Sequence, residues 1–419
     1  MIYTKEMFQE YIDEELAKYH EAQNQVVIPK KKDKFKKLLY SWIGGSKEWK
    51  APTGKIDGHK IKRVLIFRYD AIGDYITTSS VIRWIKAAIP DVQIDIISSP
   101  RNKILAEADP LVNKSYPITY APGFSFSMFK ILKYRRIKYY DLLFAFVFWK
   151  TTKSAILSRL VAPDAEKVTF RHRHRTHIYG LVFNRMTEAA VPGYTWAQKM
   201  ALCAIDNIKP INSISEKDSN PYIFISDKNY DNLVPIIQKY HLQYKLDTEN
   251  IFFYGDKKEF YKAISGRKYV VINIAGSQED RVWANDNVID YCQRLLSLLP
   301  DIQIFVTGGP QFKPQVEEII NKVSSNNCVA INISLLDFIA FTAGAYFAVT
   351  PDTGVVHFAA AAKVPLIALY AERTKILEWH PHKTKNVLML SPDKSSINFI
   401  TNDEMIEATK MLISEIENL

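Results

Sequence analysis

The chain has 419 residues, of which 47% are hydrophobic, so it is long enough for two domains with substantial cores. No apolar run is long and uncharged enough to cross a bilayer, and the first residues lack the apolar core of a signal peptide. Three widely spaced cysteines, Cys203, Cys292 and Cys328, fit neither a zinc site nor a disulfide scaffold. We therefore expect a cytoplasmic protein, and its formal net charge of +10 favours an anionic partner: nucleic acid, a phosphorylated sugar or a membrane surface.

Residues 1–57 are predicted to form a basic, helical N-terminal extension. Its apolar residues recur at helical spacing, with lysines beside them: Phe35, Leu38, Leu39, Trp42 and Ile43. A basic amphipathic helix of this kind can lie on anionic lipid. The same pattern fits a helix that packs on the protein itself or on a second subunit, so the sequence leaves these alternatives open.

The first α/β domain is predicted over residues 58–220. A buried strand at residues 62–68 leads through a turn into a helix that ends near Ala88, and a second strand follows at 93–97. The turn contains a single glycine, Gly73, where dinucleotide-binding turns have three. This β-α-β unit therefore argues against a nicotinamide-dependent oxidoreductase.

Two acids follow the first strand of this domain. Asp70 and Asp74 lie at its carboxyl end, where open α/β sheets place their ligand sites. Both are candidates for acid–base chemistry. Helix capping by one or both of them is the alternative.

Two stretches of the first domain combine several basic residues with aromatic residues or histidines. Residues 124–140 are aromatic and basic, which predicts a buried helix with a solvated end or a second membrane-facing surface. In residues 171–177 the arginines Arg171, Arg173 and Arg175 alternate with histidines, and these cations would oppose a bound metal. We expect an anion contact there, such as phosphates on an acceptor, with a solvated loop as the alternative.

A second α/β domain is predicted over residues 221–400, followed by a C-terminal helix at 401–419. Residues 227–266 are polar and are interpreted as helical. From residue 268 onward, short apolar strands alternate with amphipathic helices, which indicates a doubly wound parallel sheet. The glycine-containing loops all follow strand ends, so they should converge at one edge of the sheet and line one cleft.

The most informative of these loops is residues 352–357, which we call the signature turn. It combines Asp352, Thr353, Gly354 and His357 between a buried strand and a helix of small residues. Free N–H groups at such a helix start favour an anion, usually a phosphate, and Gly354 lets backbone approach a ligand. An ordinary turn with Asp352 or Thr353 as N-cap is the alternative, and His357 either contacts a phosphate or packs at the helix start.

Four stretches together resemble glycosyltransferase family 9, the bacterial lipopolysaccharide heptosyltransferases. They are residues 68–74, 275–283, 306–310 and 352–357, and the resemblance extends over roughly residues 62–381. The chain differs from the family pattern at Gln311 and Phe312, where an acid often holds the ribose. It differs again at residues 371–374, where Gly-Pro-Thr is usual.

This resemblance implies a GT-B fold, in which two Rossmann-like domains face each other across a cleft. It implies an inverting, metal-independent transfer of heptose from ADP-heptose to a Kdo or heptose of the lipopolysaccharide inner core, with no cofactor beyond the nucleotide sugar. Asp74 would be the catalytic base, with Asp70 as second candidate, and residues 58–220 would hold the acceptor. The donor-binding residues would be Gly73, Ser277, Arg281, Gly308, Gly309, Asp352, Thr353, Gly354 and His357.

The expected chemistry agrees with these residue types. A nucleoside diphosphate is already a good leaving group, so its charge has to be held rather than created. Arg281 can hold it with a two-pronged guanidinium, and N–H groups near Thr353 and Gly354 can add further donors.

Three other functions remain open from the sequence. One is a transferase of the same fold with another nucleotide sugar or a protein acceptor, and a second is a sugar-nucleotide epimerase. The third is a nucleic-acid-binding protein, although no nucleic-acid-binding motif is present. For a transferase with a lipid-linked acceptor, the basic N-terminal helix predicts peripheral attachment to the cytoplasmic face of the inner membrane.

Overall fold

The computed structural model of the protein describes residues 1–23, 31–44, 52–118, 140–147, 151–171, 176–188, 192–256, 263–276 and 278–418. The chain divides into two compact units. We call Glu14–Pro221 the N-terminal unit, and Met1–Asp13 together with Tyr222–Leu419 the C-terminal unit. The residues predicted as a separate extension are thus shared between the two units, and residues 401–417 belong to the C-terminal unit. The predicted helix at 124–140 lies outside the described residues, apart from Tyr140.

The helices are named in chain order. They are α1 Lys5–Gln23, α2 Lys31–Gly44, α3 Ile72–Ala88, α4 Lys103–Ala108, α5 Thr151–Val161, α6 Thr176–Tyr179, α7 Trp196–Asn207, α8 Asp227–Lys239, α9 Asn285–Leu298, α10 Lys313–Val323, α11 Leu335–Ala343, α12 Gly354–Ala361, α13 Arg373–Trp379 and α14 Asn402–Glu417. Within the described part of the chain, no helix reaches the length and hydropathy that a membrane span requires.

The strands are numbered in the same way. They are β1 Ile2–Tyr3, β2 Ile56–Asp57, β3 Arg63–Phe67, β4 Gln93–Ser98, β5 Lys114–Pro117, β6 Leu142–Ala145, β7 Glu166–Arg171, β8 Arg185–Glu188, β9 Ile208–Lys209, β10 Ile223–Ser226, β11 Ile251–Tyr254, β12 Tyr269–Asn273, β13 Gln303–Thr307, β14 Cys328–Ala330, β15 Phe347–Pro351, β16 Leu366–Tyr370 and β17 Asn386–Leu390.

The main sheet of the N-terminal unit is parallel throughout, in the order β5-β4-β3-β6-β7-β8. Residues 64–67 of its central strand β3 are apolar and buried, as expected for a parallel strand covered on both faces. Strand order reverses between β3 and β6. In doubly wound sheets such a reversal opens a crevice for a ligand beyond the carboxyl ends of the two strands.

The C-terminal unit repeats this topology. Its sheet has the order β1-β17-β16-β15-β12-β13-β14, and the pairs from β17 to β14 are parallel. Strand order reverses between β12 and β15, where Ile272 is in register with Val349. Both sheets confirm the predicted doubly wound α/β class.

Helix α9 shows how the sequence pattern builds the core of the C-terminal unit. Val288, Cys292 and Leu295 are spaced so that they share one face of the helix, and all three are buried in the core cluster that includes β12 and β13. Burying a side chain of this size contributes about 1.5–3 kcal/mol. The packing of this one apolar face therefore explains why α9 forms where the periodicity predicts it.

The prediction for residues 227–266 was only partly correct. Helix α8 is present, but a strand, β11, follows and pairs in parallel with β10 in a separate two-stranded sheet. Residues 251–254 are an isoleucine and three aromatic residues, which favour strand. Because the residues on either side of this short run are polar, the hydropathy averaged over a longer window does not show the strand.

Candidate active site

The signature turn lies where the strand order of the C-terminal unit reverses. Asn273 ends β12, and its Nδ2 donates to Thr350 Oγ1 at 3.0 Å and to Thr353 Oγ1 at 3.3 Å. The hydroxyl oxygens of Thr350 and Thr353 are 3.1 Å apart. The turn that follows β15 is therefore fastened to the end of the neighbouring strand.

Sequence reasoning missed Asn273 and Thr350. Both are buried polar residues at the ends of otherwise apolar strands. Burying a polar group costs free energy unless the group is hydrogen-bonded. A polar residue at the end of an apolar strand therefore indicates a hydrogen-bonded role, and this signal could have identified Asn273 and Thr350 from the sequence.

Thr353 is the N-cap of α12. Its Oγ1 accepts a hydrogen bond from the Val355 N–H at 3.3 Å, and Gly354 is the first residue of the helix. A cap of this type contributes about 1 kcal/mol. The first turn of an α-helix has four N–H groups without intrahelical acceptors, which is the property on which the predicted phosphate contact depends. One of the two predicted capping alternatives is therefore correct, and the donor contact stays a prediction.

Arg281 and Asp352 form an ion pair at the same place. Arg281 Nη1 lies 3.0 Å from Asp352 Oδ2, and the two side chains are 18% and 9% exposed. A charge-assisted contact in such a partly desolvated place is stronger than a surface ion pair. The structure thus brings together two residues that were predicted to bind the donor.

The loop after β12 places Arg281 by folding back on itself. The Trp283 N–H donates to the Ile274 carbonyl at 3.0 Å, which closes the loop. A Cβ on Gly276 would lie 2.4 Å from the Arg281 carbonyl oxygen, so only glycine allows this close approach. Ser277, the other predicted donor residue of this loop, lies outside the described residues.

The two glycines after β13 have a backbone role. Gly309 has φ +76°, a left-handed conformation that favours glycine. A Cβ on Gly308 would lie 2.5 Å from the Cβ of Phe312. The predicted Gly308–Gly309 turn is thus explained by geometry, and its contact with a nucleoside stays a prediction.

His357 packs against the end of α13. Its ring meets that of Trp379 edge-on, with centroids 5.5 Å apart. The Tyr370 hydroxyl donates to the Trp379 carbonyl at 3.1 Å, and burial, with a smaller effect from the charge of Asp352, raises the pKa of Tyr370 well above its ordinary value. Tyr370 therefore stays protonated and fixes Trp379 beside His357.

We expect His357→Phe to weaken donor binding roughly tenfold. Phenylalanine preserves an aromatic contact with Trp379, but it loses the polar ring atoms, and a hydrogen bond to a charged group contributes about 1.5–3 kcal/mol. Calorimetric titration with the nucleoside diphosphate tests this, with His380→Phe as the matched control. Unchanged affinity in His357→Phe would leave His357 as a packed histidine.

Residues 1–13 contact β17 and the start of α13 in the C-terminal unit. Strand β1 pairs antiparallel with β17. Arg373 Nε donates to the Tyr3 hydroxyl at 2.9 Å, and its guanidinium lies 3.8 Å from the Tyr11 ring centroid. Arg373 belongs to the stretch where Gly-Pro-Thr was expected, so the departure from that pattern coincides with a contact to residues 1–13.

In the N-terminal unit, Arg68 connects the two candidate acids. Its guanidinium is fully buried and lies 2.6 Å from Asp74 Oδ1 and 3.2 Å from Asp70 Oδ2. It also donates to the carbonyls of Asp74 and Phe146. Because Phe146 follows β6, these contacts lie at the strand-order reversal of this sheet.

Asp74 also caps the N-terminus of α3. Its Oδ2 accepts the Ala71 N–H at 2.9 Å, so the predicted capping role is present. Each carboxylate oxygen has two lone pairs, and the Asp74 side chain is 15% exposed. Asp74 can therefore cap the helix and still accept a proton, and its catalytic role stays a prediction.

The remaining predicted residues are less informative. Gly73 is buried in the first turn of α3, in the N-terminal unit, whereas the other described donor candidates belong to the C-terminal unit. Arg171 ends β7 and is exposed, while Arg173 and Arg175 lie outside the described residues. In the portion of the chain that the structure describes, no group of three or more His, Cys, Asp or Glu is arranged to hold a metal.

Comparison with known proteins shows what class of protein has these features. The sequence model of glycosyltransferase family 9 (heptosyltransferase) matches residues 134–407, more than half of the chain. A lipopolysaccharide heptosyltransferase 1 from Campylobacter coli is 21% identical over 366 residues, which are 85% of this chain and 95% of that protein. The loop at residues 68–74 precedes the family match, whereas Arg281 and the signature turn lie within it.

Solved structures show the same fold. A family 9 glycosyltransferase from Veillonella parvula gives a TM-score of 0.65 at 14% identity, over 84% of this chain and 97% of that one. The E. coli heptosyltransferase WaaC with ADP gives 0.60 at 20% identity, over 84% and 99%. The E. coli ADP-heptose heptosyltransferase II gives 0.60 at 18% identity, over 85% and 100%.

These likenesses confirm the predicted GT-B fold class. The family match covers the sheet of the C-terminal unit together with the loops that carry its ion pair and its helix cap. The chain belongs to glycosyltransferase family 9, the heptosyltransferase family, and is a glycosyltransferase.

Proposed function

We propose that this protein transfers a heptose from ADP-heptose to a Kdo or heptose of the lipopolysaccharide inner core. The proposal includes inversion at the anomeric carbon, no metal ion and no further cofactor, and it places the reaction in the cytoplasm. Membership of the heptosyltransferase family supports the sugar class, and the Campylobacter coli relative supports the acceptor class. The observation that carries the proposal is the pairing of Arg281 with Asp352 beside the Thr353 helix cap, within the family match.

The donor's diphosphate is the part of the substrate that this arrangement suits. Guanidinium has five N–H donors in a fixed fork. Nη1 of Arg281 lies 3.0 Å from Asp352 Oδ2, and Nε lies 4.0 Å from Asp280 Oδ2, which is beyond hydrogen-bond distance. The other N–H donors can bind phosphate oxygens, and the first-turn N–H groups of α12 can add donors. A carboxylate would repel the diphosphate, so we assign Asp352 the task of holding Arg281 in place.

The acceptor hydroxyl needs a group that takes its proton as its oxygen attacks the anomeric carbon and ADP leaves. We assign this role to Asp74, with Asp70 as second candidate. The buried Arg68 holds both carboxylates, and Asp74 retains lone pairs for a proton beyond the contacts to Arg68 and Ala71. The acceptor's phosphates would meet the basic run that contains Arg171, Arg173 and Arg175.

A nucleotide panel tests the donor first. ADP, UDP, GDP and CDP should be compared by thermal shift, because a ligand at 100 times its dissociation constant stabilises a protein by about 2.7 kcal/mol. We expect the largest shift with ADP, and transfer from ADP-heptose to a Kdo-bearing lipid A precursor without loss of rate in EDTA. A larger shift with another nucleotide would contradict the donor, and activity lost in EDTA but restored by Mg²⁺ would contradict metal independence.

A second candidate is transfer of another nucleotide sugar on the same fold. Gln311 and Phe312 stand where an acid often holds the ribose, and Arg373 stands where Gly-Pro-Thr is usual. The same panel, extended by ADP-heptose and other ADP-sugars, separates the two candidates. A transferase for another donor should respond most to a nucleotide other than ADP or to an ADP-sugar other than ADP-heptose.

A further inference from the structure

Helix α2 is attached to the N-terminal unit by one face. Tyr40 is fully buried and its ring stacks on that of Tyr179, with centroids 6.4 Å apart. Leu39 is partly buried and packs against the core cluster of this unit. The helix also contacts α5 and α6. The predicted single apolar face is therefore split, because Leu39 turns towards the core.

The other face of α2 carries the three most exposed large apolar side chains of the described residues. Phe35 is 72% exposed, Leu38 is 70% exposed and Trp42 is 86% exposed. At about 100° per residue these three lie within roughly 60° of one another around the helix axis. Exposed apolar side chains are usually scattered singly, and a cluster of them marks an interaction site. We call this cluster the α2 patch.

The charge of α2 indicates which kind of surface the α2 patch binds. The helix contains five lysines and a single acid, Asp33, and Lys34 and Lys37 are exposed beside the patch. In a dimer formed through the α2 patch, the lysine-rich face of one copy would lie against the same lysine-rich face of the other, and these like charges would repel. Three side chains are also fewer than the 20–30 residues per side of a typical stable interface, roughly 800 Å². An anionic surface that accepts apolar side chains would suit both the lysines and the exposed apolar side chains of α2. A bilayer with acidic headgroups has this chemistry.

We propose that the α2 patch docks this protein on an anionic bilayer, with Phe35, Leu38 and Trp42 inserted between lipids and the lysines among the headgroups. The family match begins at residue 134, so α2 lies outside it. The N-terminal unit holds α2 through Tyr40 and Leu39, so docking would involve a folded surface rather than a loose tail. Docking does not depend on which sugar is transferred, so the proposal can fail or succeed independently of the proposed function.

The test uses the full chain and vesicles of phosphatidylcholine with or without phosphatidylglycerol, in cosedimentation. We expect binding to the anionic vesicles to be stronger by roughly tenfold or more, and to weaken in high salt. The triple variant F35S/L38S/W42S should lose that binding with an unchanged melting temperature, since all three side chains are exposed. The matched control F399S/M411S removes two exposed apolar side chains of the C-terminal unit and should bind as the parent does.

Equal binding to both kinds of vesicle would overturn the proposal, as would normal binding by the triple variant. Sedimentation velocity provides a second readout. A dimer that the triple variant dissociates would assign the patch to a second copy and overturn lipid docking. A charge variant, K34E/K37E, should also lose the preference for anionic vesicles, and a preserved preference would count against the role of the lysines.

Discussion

Replacing Asp74 by asparagine should lower kcat about a hundredfold or more, because a positioned general base contributes roughly 10²–10⁴-fold. The amide oxygen can still accept a hydrogen bond from the Ala71 N–H, which the carboxylate accepts at 2.9 Å, but the amide takes up no proton. Donor affinity should stay the same, because Asp74 belongs to the N-terminal unit and the described donor-binding candidates other than Gly73 belong to the C-terminal unit. The measurements are kcat at saturating donor and the dissociation constant of ADP.

Asp70→Asn is the matched control for this experiment. It removes the other carboxylate beside Arg68, so both variants leave this buried cation with one charged partner fewer. A loss of kcat in Asp74→Asn alone would identify Asp74 as the base, and a loss in Asp70→Asn alone would transfer the role to Asp70. Equal losses of activity and of thermal stability in both variants would show that the carboxylates serve only to hold Arg68.

Arg281→Met should raise the dissociation constant of the donor by about ten- to a hundredfold. Hydrogen bonds to charged groups contribute about 1.5–3 kcal/mol, and each 1.4 kcal/mol corresponds to tenfold in affinity. Methionine approximates the length of the apolar stem but has no donor for a phosphate. Arg294→Met is the control, because Arg294 is an arginine of the same unit that pairs with Asp290 and Asp403 at the surface. Its removal should leave donor affinity unchanged.

Asp352→Asn separates two physical effects at this site. If the carboxylate positions Arg281, its loss should weaken donor binding, although it removes a negative charge near the diphosphate. If it only repels the donor, affinity should increase. We expect weaker binding, and in Arg281→Met/Asp352→Asn the two losses should not add, because residues in direct contact are coupled by about 0.5–3 kcal/mol. Fully additive losses would contradict the positioning role.

Much of the local structure follows from patterns that are contiguous in the sequence. Strands such as β3 and β12 each contain four consecutive apolar residues, α9 has helical spacing of its apolar residues, and glycines follow the strand ends. These patterns predict secondary structure because the side-chain period of a helix or strand is a local property. They also place the signature turn after a strand and at the start of a helix, which is where α12 begins.

Pairings between distant residues were decided by tertiary structure. Arg281 meets Asp352 and Asn273 meets Thr353 because β12 and β15 are neighbours in the sheet, although the helices and strands between them separate the residues in the chain. The pairing of β1 with β17 brings Ile2 and Tyr3 beside Met389 and Leu388, which are far away in the sequence, and no local pattern marks a two-residue strand. Hydrogen bonds and ion pairs depend on spatial distance, which strand order determines and sequence spacing does not.

The sequence by itself determined the doubly wound fold class and the family, and it identified the signature turn and Arg281 as candidates, but not Asn273, Thr350 or Trp379 beside that turn. Tertiary structure decided which of these residues are partners: Asp352 with Arg281, Asp74 with Arg68, and Leu39 with the core rather than with the α2 patch. The physical reason is that periodicity identifies an apolar face, whereas burial and charge pairing depend on which element of the fold packs against that face.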